Sequence, residues 1–161
     1  MMLGPPHAMS AQTKSPLELL HEKIDAHGIE ALTPSERWFY AICWFILETN
    51  GNAMHGYFFN HAGAHCREAL QGLELVGADR TADILRRAIA LFPRGDVPVD
   101  HGARQIALGE LGEDVEWGVL SRLTDELFAL KEGVAELVEH YTAAHRHEFL
   151  TLYADDSSPR A

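Results

Sequence analysis

Residues 50–60 read Asn-Gly-Asn-Ala-Met-His-Gly-Tyr-Phe-Phe-Asn and fall between two amphipathic helical patterns. Asn50, Gly51 and Asn52 readily take the left-handed backbone that closes a helix, so a stop and a loop are expected here. The aromatics Tyr57, Phe58 and Phe59 follow in an unbroken run and cannot all face one way. Their apolar area is wasted in a solvated loop, so the segment is expected to pack under the fold with at least one ring in the core.

Working outward, the helix signals are clear. Ser15-Pro16-Leu17-Glu18 supplies an N-cap, a proline at the first helical position and a capping-box glutamate, and Gly28 closes that helix. Thr33-Pro34-Ser35-Glu36 repeats the device. It opens a helix whose Trp38, Phe39, Ile42, Trp44, Phe45 and Ile46 wrap over half its circumference, as in a central buried helix. A third helix is expected from Gly63 to Val76. A fourth, capped by Asp79, should run through Ile84, Leu85, Ala88, Ile89 and Phe92 to the break at Pro93. Residues 93–102 read as a loop and Arg104–Leu111 as a short helix. Leu127, Leu130, Val134, Leu137, Val138 and Tyr141 recur at three- and four-residue steps, predicting one long helix from Leu127 to His145. No alternating β-branched run appears. The predicted fold is all-α, a single-domain bundle of about five to seven helices. It occupies residues 15–150, with a disordered leader at 1–14 and a disordered tail at 151–161.

The chain has 161 residues, enough for one substantial core, and 47% of them are hydrophobic. No apolar run reaches the ~20 residues of a membrane span and the start lacks a secretory pattern, so a cytoplasmic protein is expected. Cys43 and Cys66 fit buried thiols in a reducing compartment. The net charge of −11 is uneven: residues 1–109 hold 12 acidic and 9 basic side chains, whereas residues 110–156 set 12 acidic ones against Arg122, Lys131 and Arg146. That distribution argues against direct nucleic-acid binding and against an anionic membrane, and it points to a basic partner.

Chemistry is harder to find. His61 and His65 are spaced to share a helix face, with His55 upstream, but zinc needs three or four converging ligands. His65 and Cys66 are adjacent and point about 100° apart on a helix, which does not make a nucleophile–base pair. No phosphate-cradling loop, dinucleotide fingerprint or nucleophile elbow occurs. No catalytic residue, metal or cofactor is therefore assigned. A small metal-binding or enzymatic domain centred on His55, Asn60, His61 and His65 stays open as the alternative.

Thr33-Pro34-Ser35-Glu36-Arg37, a Trp/Phe-rich helix ending in Glu48-x-Asn50, and Tyr57-Phe58-Phe59-Asn60-x-x-Gly63 form an ordered set. Gly77-Ala78-x-x-Thr81-Ala82 and Ala88-x-x-Leu91-Phe92 complete it. The set resembles the bacterial DNA-mimic-protein-19-like family across about residues 33–92, and more weakly as far as Glu148-Phe149. The family typically reads Asn-Gly-Gly-Phe-x-Gln before its Tyr-Phe-Phe-Asn, where this chain has Asn52, Ala53, Met54 and Gly56 in place of the two glycines, the phenylalanine and the glutamine. The resemblance implies a helical scaffold, with Asn50, Tyr57, Phe58, Phe59, Asn60 and Gly63 as structural motif residues. It also implies an acidic surface that imitates duplex phosphates on a basic DNA-binding protein, or on another basic protein; a homodimer stays open. Asp125, Glu132, Glu136 and Glu139 are expected on one face of the last helix, where positions four apart rise ~6 Å, near the spacing of successive phosphates. Glu110, Glu113, Asp114 and Glu116 add a dense group before it. A solvated acidic face that keeps the protein soluble is the competing account of the same residues.

Overall fold

The computed structural model describes residues 14–154. Seven α-helices make up the body: α1 (Pro16–His27), α2 (Pro34–Phe59), α3 (Cys66–Leu75), α4 (Asp79–Ile89), α5 (His101–Gly109), α6 (Leu120–Ala129) and α7 (Val134–Ala144). The described residues contain no strand, as the sequence predicts. Both capping boxes form, each with its serine or threonine and its glutamate bonded reciprocally to backbone N–H groups. Glu36 goes further. It is fully buried, lies 3.6 Å from Lys23 Nζ and accepts the Thr151 N–H, so the start of α2 also anchors the chain after α7. The helical body thus extends past residue 150, with Lys23 Nζ donating to Thr151 Oγ1 at 2.7 Å and Leu152 and Tyr153 packed against the core. The rest of the expected leader and tail lies outside the described residues.

Helix α2 is the axis, with α1, α3, α5 and α6 packed around it. Trp38, Phe39, Ile42, Phe45, Phe58, Leu85, Ile89 and Phe92 are buried, as their spacing predicts. Trp38 meets Tyr141 and Phe149 edge-on, each at 5.5 Å between centroids, and Phe45 meets Tyr57 at 5.1 Å. Leu137 and Tyr141 are only half-buried at the margin of this core.

Residues 50–59 are not a loop. The helix turns at Ala53, whose φ of 58° and ψ of −176° break the helical geometry, and continues to Phe59. Tertiary contacts overrule the Asn-Gly-Asn stop signal. The buried Thr124 hydroxyl of α6 accepts the Met54 N–H at 3.0 Å, capping the second segment, and Glu48 accepts the Asn52 side-chain amide at 2.9 Å. Ala53 sits in backbone space that is essentially reserved for glycine, at a position where the resemblance expects a glycine. Ala53→Gly is therefore expected to stabilise the fold by ~1–2 kcal/mol, the strain exceeding the added unfolded-state entropy. Chemical denaturation would read the gain, and a loss of stability would show that the kink is not strained.

Three other boundaries differ from the sequence reading. His61–His65 form a 3₁₀ turn ahead of α3, so that helix begins at Cys66 rather than Gly63. The expected long helix from Leu127 to His145 is two helices, α6 and α7, joined by residues 130–133 and turned by Gly133 at φ 66°. A π-helical turn, Asp114–Val119, leads directly into α6, where no helix is expected from the sequence.

Candidate interaction surface and the segment behind it

The acidic residues of the C-terminal half are spread over several elements. Glu110 follows the end of α5, Glu113 precedes the π-helical turn, and Asp114 and Glu116 lie within it. Asp125 belongs to α6, Glu132 to the link, and Glu136 and Glu139 to α7. The expected single row of Asp125, Glu132, Glu136 and Glu139 along one helix is thus replaced by a surface assembled from two helices and their junction.

Two of these carboxylates are committed inside the fold. Glu116 Oε1 sits 2.6 Å from His55 Nε2, and both side chains are largely buried. His55 is itself stacked on Trp117 at 4.1 Å and on Phe59 at 5.9 Å. Glu132 accepts the N–H groups of Arg80 and Thr81 at 2.9 and 2.7 Å and the Thr81 hydroxyl at 2.6 Å. It does the capping expected of Asp79, from a distant part of the chain. Burial pushes the Glu132 carboxyl up, but the bonds from Thr81 and Arg80 outweigh it and leave the group below its ordinary range. Its contribution is therefore complete above the ordinary carboxylate range and is lost as pH falls through the lower folded value. Glu132→Ala is expected to cost ~1–2 kcal/mol, the worth of a helix cap, as read by urea unfolding at neutral pH. A cost near zero would mean that α4 needs no cap.

The other six, Glu110, Glu113, Asp114, Asp125, Glu136 and Glu139, are exposed, and their side chains have no hydrogen bond or ion pair to any described residue. Elsewhere many of the surface charges are matched. Lys14 pairs with Glu22, Arg37 with Glu30, Arg67 with Asp96, Arg86 with Glu74 and Asp83, and Arg87 with Asp83 and Glu126.

The aromatic motif does its work behind this surface. Tyr57 and Phe58 are fully buried, whereas Phe59 is 44% exposed. Where the run ends, α5 closes the last turn of α2 with side chains. Arg104, fully buried, donates through Nε to the Phe58 carbonyl at 2.8 Å and through Nη2 to the Asn60 carbonyl at 2.7 Å. Its Nη1 reaches the Pro98 and Val99 carbonyls at 3.0 and 2.9 Å. Gln105 Nε2 donates to the Phe59 carbonyl, which also lies 3.0 Å from His101 Nε2. A guanidinium thus meets the negative end of a helix dipole with no carboxylate in ion-pair contact, Asp100 acting on it only from a greater distance. Gly63 is required by the same arrangement, since a Cβ there would lie 2.8 Å from the Phe58 Cα and 2.9 Å from Arg104 Nε. Sequence reading missed Arg104, because an arginine in a short amphipathic helix looks like any solvated charge.

The histidines do not converge. His55 is held by Glu116, His61 packs at a tilt against His101 with ring centroids 4.1 Å apart, and His65 meets Tyr40 edge-on at 6.4 Å. Among the described residues no group of three or more His, Cys, Asp or Glu is placed to hold a metal ion. Asn50 is exposed and makes no side-chain contact that defines a site. Cys66 is buried and Cys43 half-buried, and burial pushes both thiols up to about 11, away from nucleophile chemistry at neutral pH. A hollow of about 360 Å³ lies between α1, α2 and the 3₁₀ turn, lined by His21, Tyr40, Trp44, Glu48, Asn60, His61, Ala62 and His65. No helix is long and apolar enough to cross a membrane among the described residues.

A family model described as DMP19-like protein matches residues 30–146. Comparison with curated proteins and comparison with solved structures give no match.

Proposed function

We propose that this chain, which belongs to the DMP19-like protein family, is a non-catalytic interaction protein that seats a basic partner on its C-terminal acidic surface. The partner is a DNA-binding protein, and the acidic surface takes the place of duplex phosphates in its DNA site. One observation carries this reading: six exposed carboxylates from the end of α5 to α7 lack an intramolecular cation, while the cations of the N-terminal half are largely matched. An unpaired carboxylate can receive an incoming Arg or Lys without first losing a partner. A surface of one sign also steers an oppositely charged protein toward encounter. With the row of acids split between α6 and α7, mimicry rests on the density of charge rather than on the rise of a single helix.

The test is capture from host extract on the immobilised protein, followed by elution with salt and with duplex DNA. A basic DNA-binding protein released by both is the expected result. A captured protein that stays bound in high salt, or that holds duplex DNA and this chain together, would overturn the reading.

A further inference from the structure

We infer that the hollow between α1, α2 and the 3₁₀ turn receives a guanidinium group, offered as an arginine side chain by a protein partner. Glu48 stands in its wall, half-buried and without a cation. The side-chain amides of Asn52 and Asn60 both donate to its Oε2, at 2.9 and 2.8 Å, which fixes the carboxylate and leaves Oε1 without a bonded donor. The one arginine packed behind, Arg104, is spent on four backbone carbonyls. Tyr40 and Trp44, edge-to-face with centroids 6.2 Å apart, supply the aromatic walls. A half-buried carboxylate held by two amides beside aromatic rings suits a cation.

Shape and hydration select guanidinium over ammonium. Guanidinium is planar and weakly hydrated, stacks on rings, and carries five donors against the acceptors on offer, namely Glu48 Oε1 and the Asn60 side-chain oxygen; the Tyr40 hydroxyl already lies 3.3 Å from His21 Nδ1. An anion would meet Glu48 across a low-dielectric gap and be repelled. Only the source of the guanidinium rests on the proposed basic partner; the hollow's preference for it does not.

The experiment is a titration of the full chain with Nα-acetyl-arginine amide, and with its lysine and citrulline counterparts, followed by heteronuclear NMR. The arginine compound should shift the side-chain signals of Trp44 and Asn60. The lysine compound should bind several-fold more weakly, and citrulline, which keeps the shape but loses the charge, should give no shift. Glu48→Gln should weaken arginine binding by roughly tenfold or more, as loss of a charge-assisted contact does. If that variant melts earlier than the parent, Trp44→Phe becomes the decisive one and must weaken binding several-fold. A variant with Asp125, Glu136 and Glu139 changed to Lys should bind the arginine compound as the parent does, which separates this hollow from the acidic surface. Absence of any shift with arginine, an equal response to citrulline, or loss of probe binding in the triple variant would each overturn the inference.

Discussion

Arg104→Leu is expected to destabilise the protein by ~3–5 kcal/mol, the upper range of single substitutions, which orphaning several buried hydrogen-bond acceptors at once reaches. Leucine fills part of the volume but offers no donor. The carbonyls of Phe58, Asn60, Pro98 and Val99 would then lose their guanidinium donors in a region where Arg104 itself has no exposed surface. An orphaned buried acceptor costs ~1–3 kcal/mol, reduced wherever water can enter. Because no carboxylate forms an ion pair with the guanidinium, the substitution strands no opposite charge, and the cost comes from the orphaned carbonyls. Arg104→Lys retains the charge but not the fork, and a single ammonium cannot span carbonyls on both sides of the cradle. It should recover less than half of the loss. Equilibrium unfolding in urea measures both variants. A cost under about 1 kcal/mol for leucine would show that the cradle is solvated and that the last turn of α2 is held by Gln105 and His101 instead.

What the sequence made legible was whatever is settled within four residues. Ser15 with Glu18 and Thr33 with Glu36 close their bonds locally, so two helix starts and the axial role of α2 could be read directly. The continuation of α2 past Asn50 could not. It depends on Thr124, 70 positions away, reaching the Met54 N–H. The division of α6 from α7 was hidden for another reason. Leu127, Leu130 and Val134 keep helical spacing across residues 130–133, so the apolar period runs on through a break that Gly133 makes in the backbone. The acidic surface was legible as composition but not as a set of free groups. Glu116 and Glu132 look identical to their neighbours in sequence, and only His55 and the start of α4 distinguish them.

Changing Asp125, Glu136 and Glu139 together to Lys is expected to remove partner binding almost entirely while leaving the melting temperature close to the parent's. These three are exposed and their side chains hold no intramolecular partner, so reversal breaks no side-chain contact and costs only the ~0.3–1 kcal/mol that the Glu136 carboxylate contributes at the first turn of α7. Glu132 is excluded from the set because a lysine there would place positive charge at the positive end of α4 and remove its cap. Each reversal exchanges an attraction to an incoming Arg or Lys for a repulsion. At low salt that amounts to roughly tenfold in affinity per position, or about a thousandfold for the triple variant. The same contacts are screened over ~10 Å at 0.1 M salt, so the gap between parent and variant should shrink as ionic strength rises. Surface plasmon resonance at several salt concentrations, with the captured partner as analyte, reads both effects. His27→Ala, exposed in the last turn of α1 and outside both the acidic surface and the hollow, serves as the matched control and should bind like the parent. If the triple variant binds undiminished, charge on this surface is not what holds the partner, and the six free carboxylates serve only to keep the protein in solution.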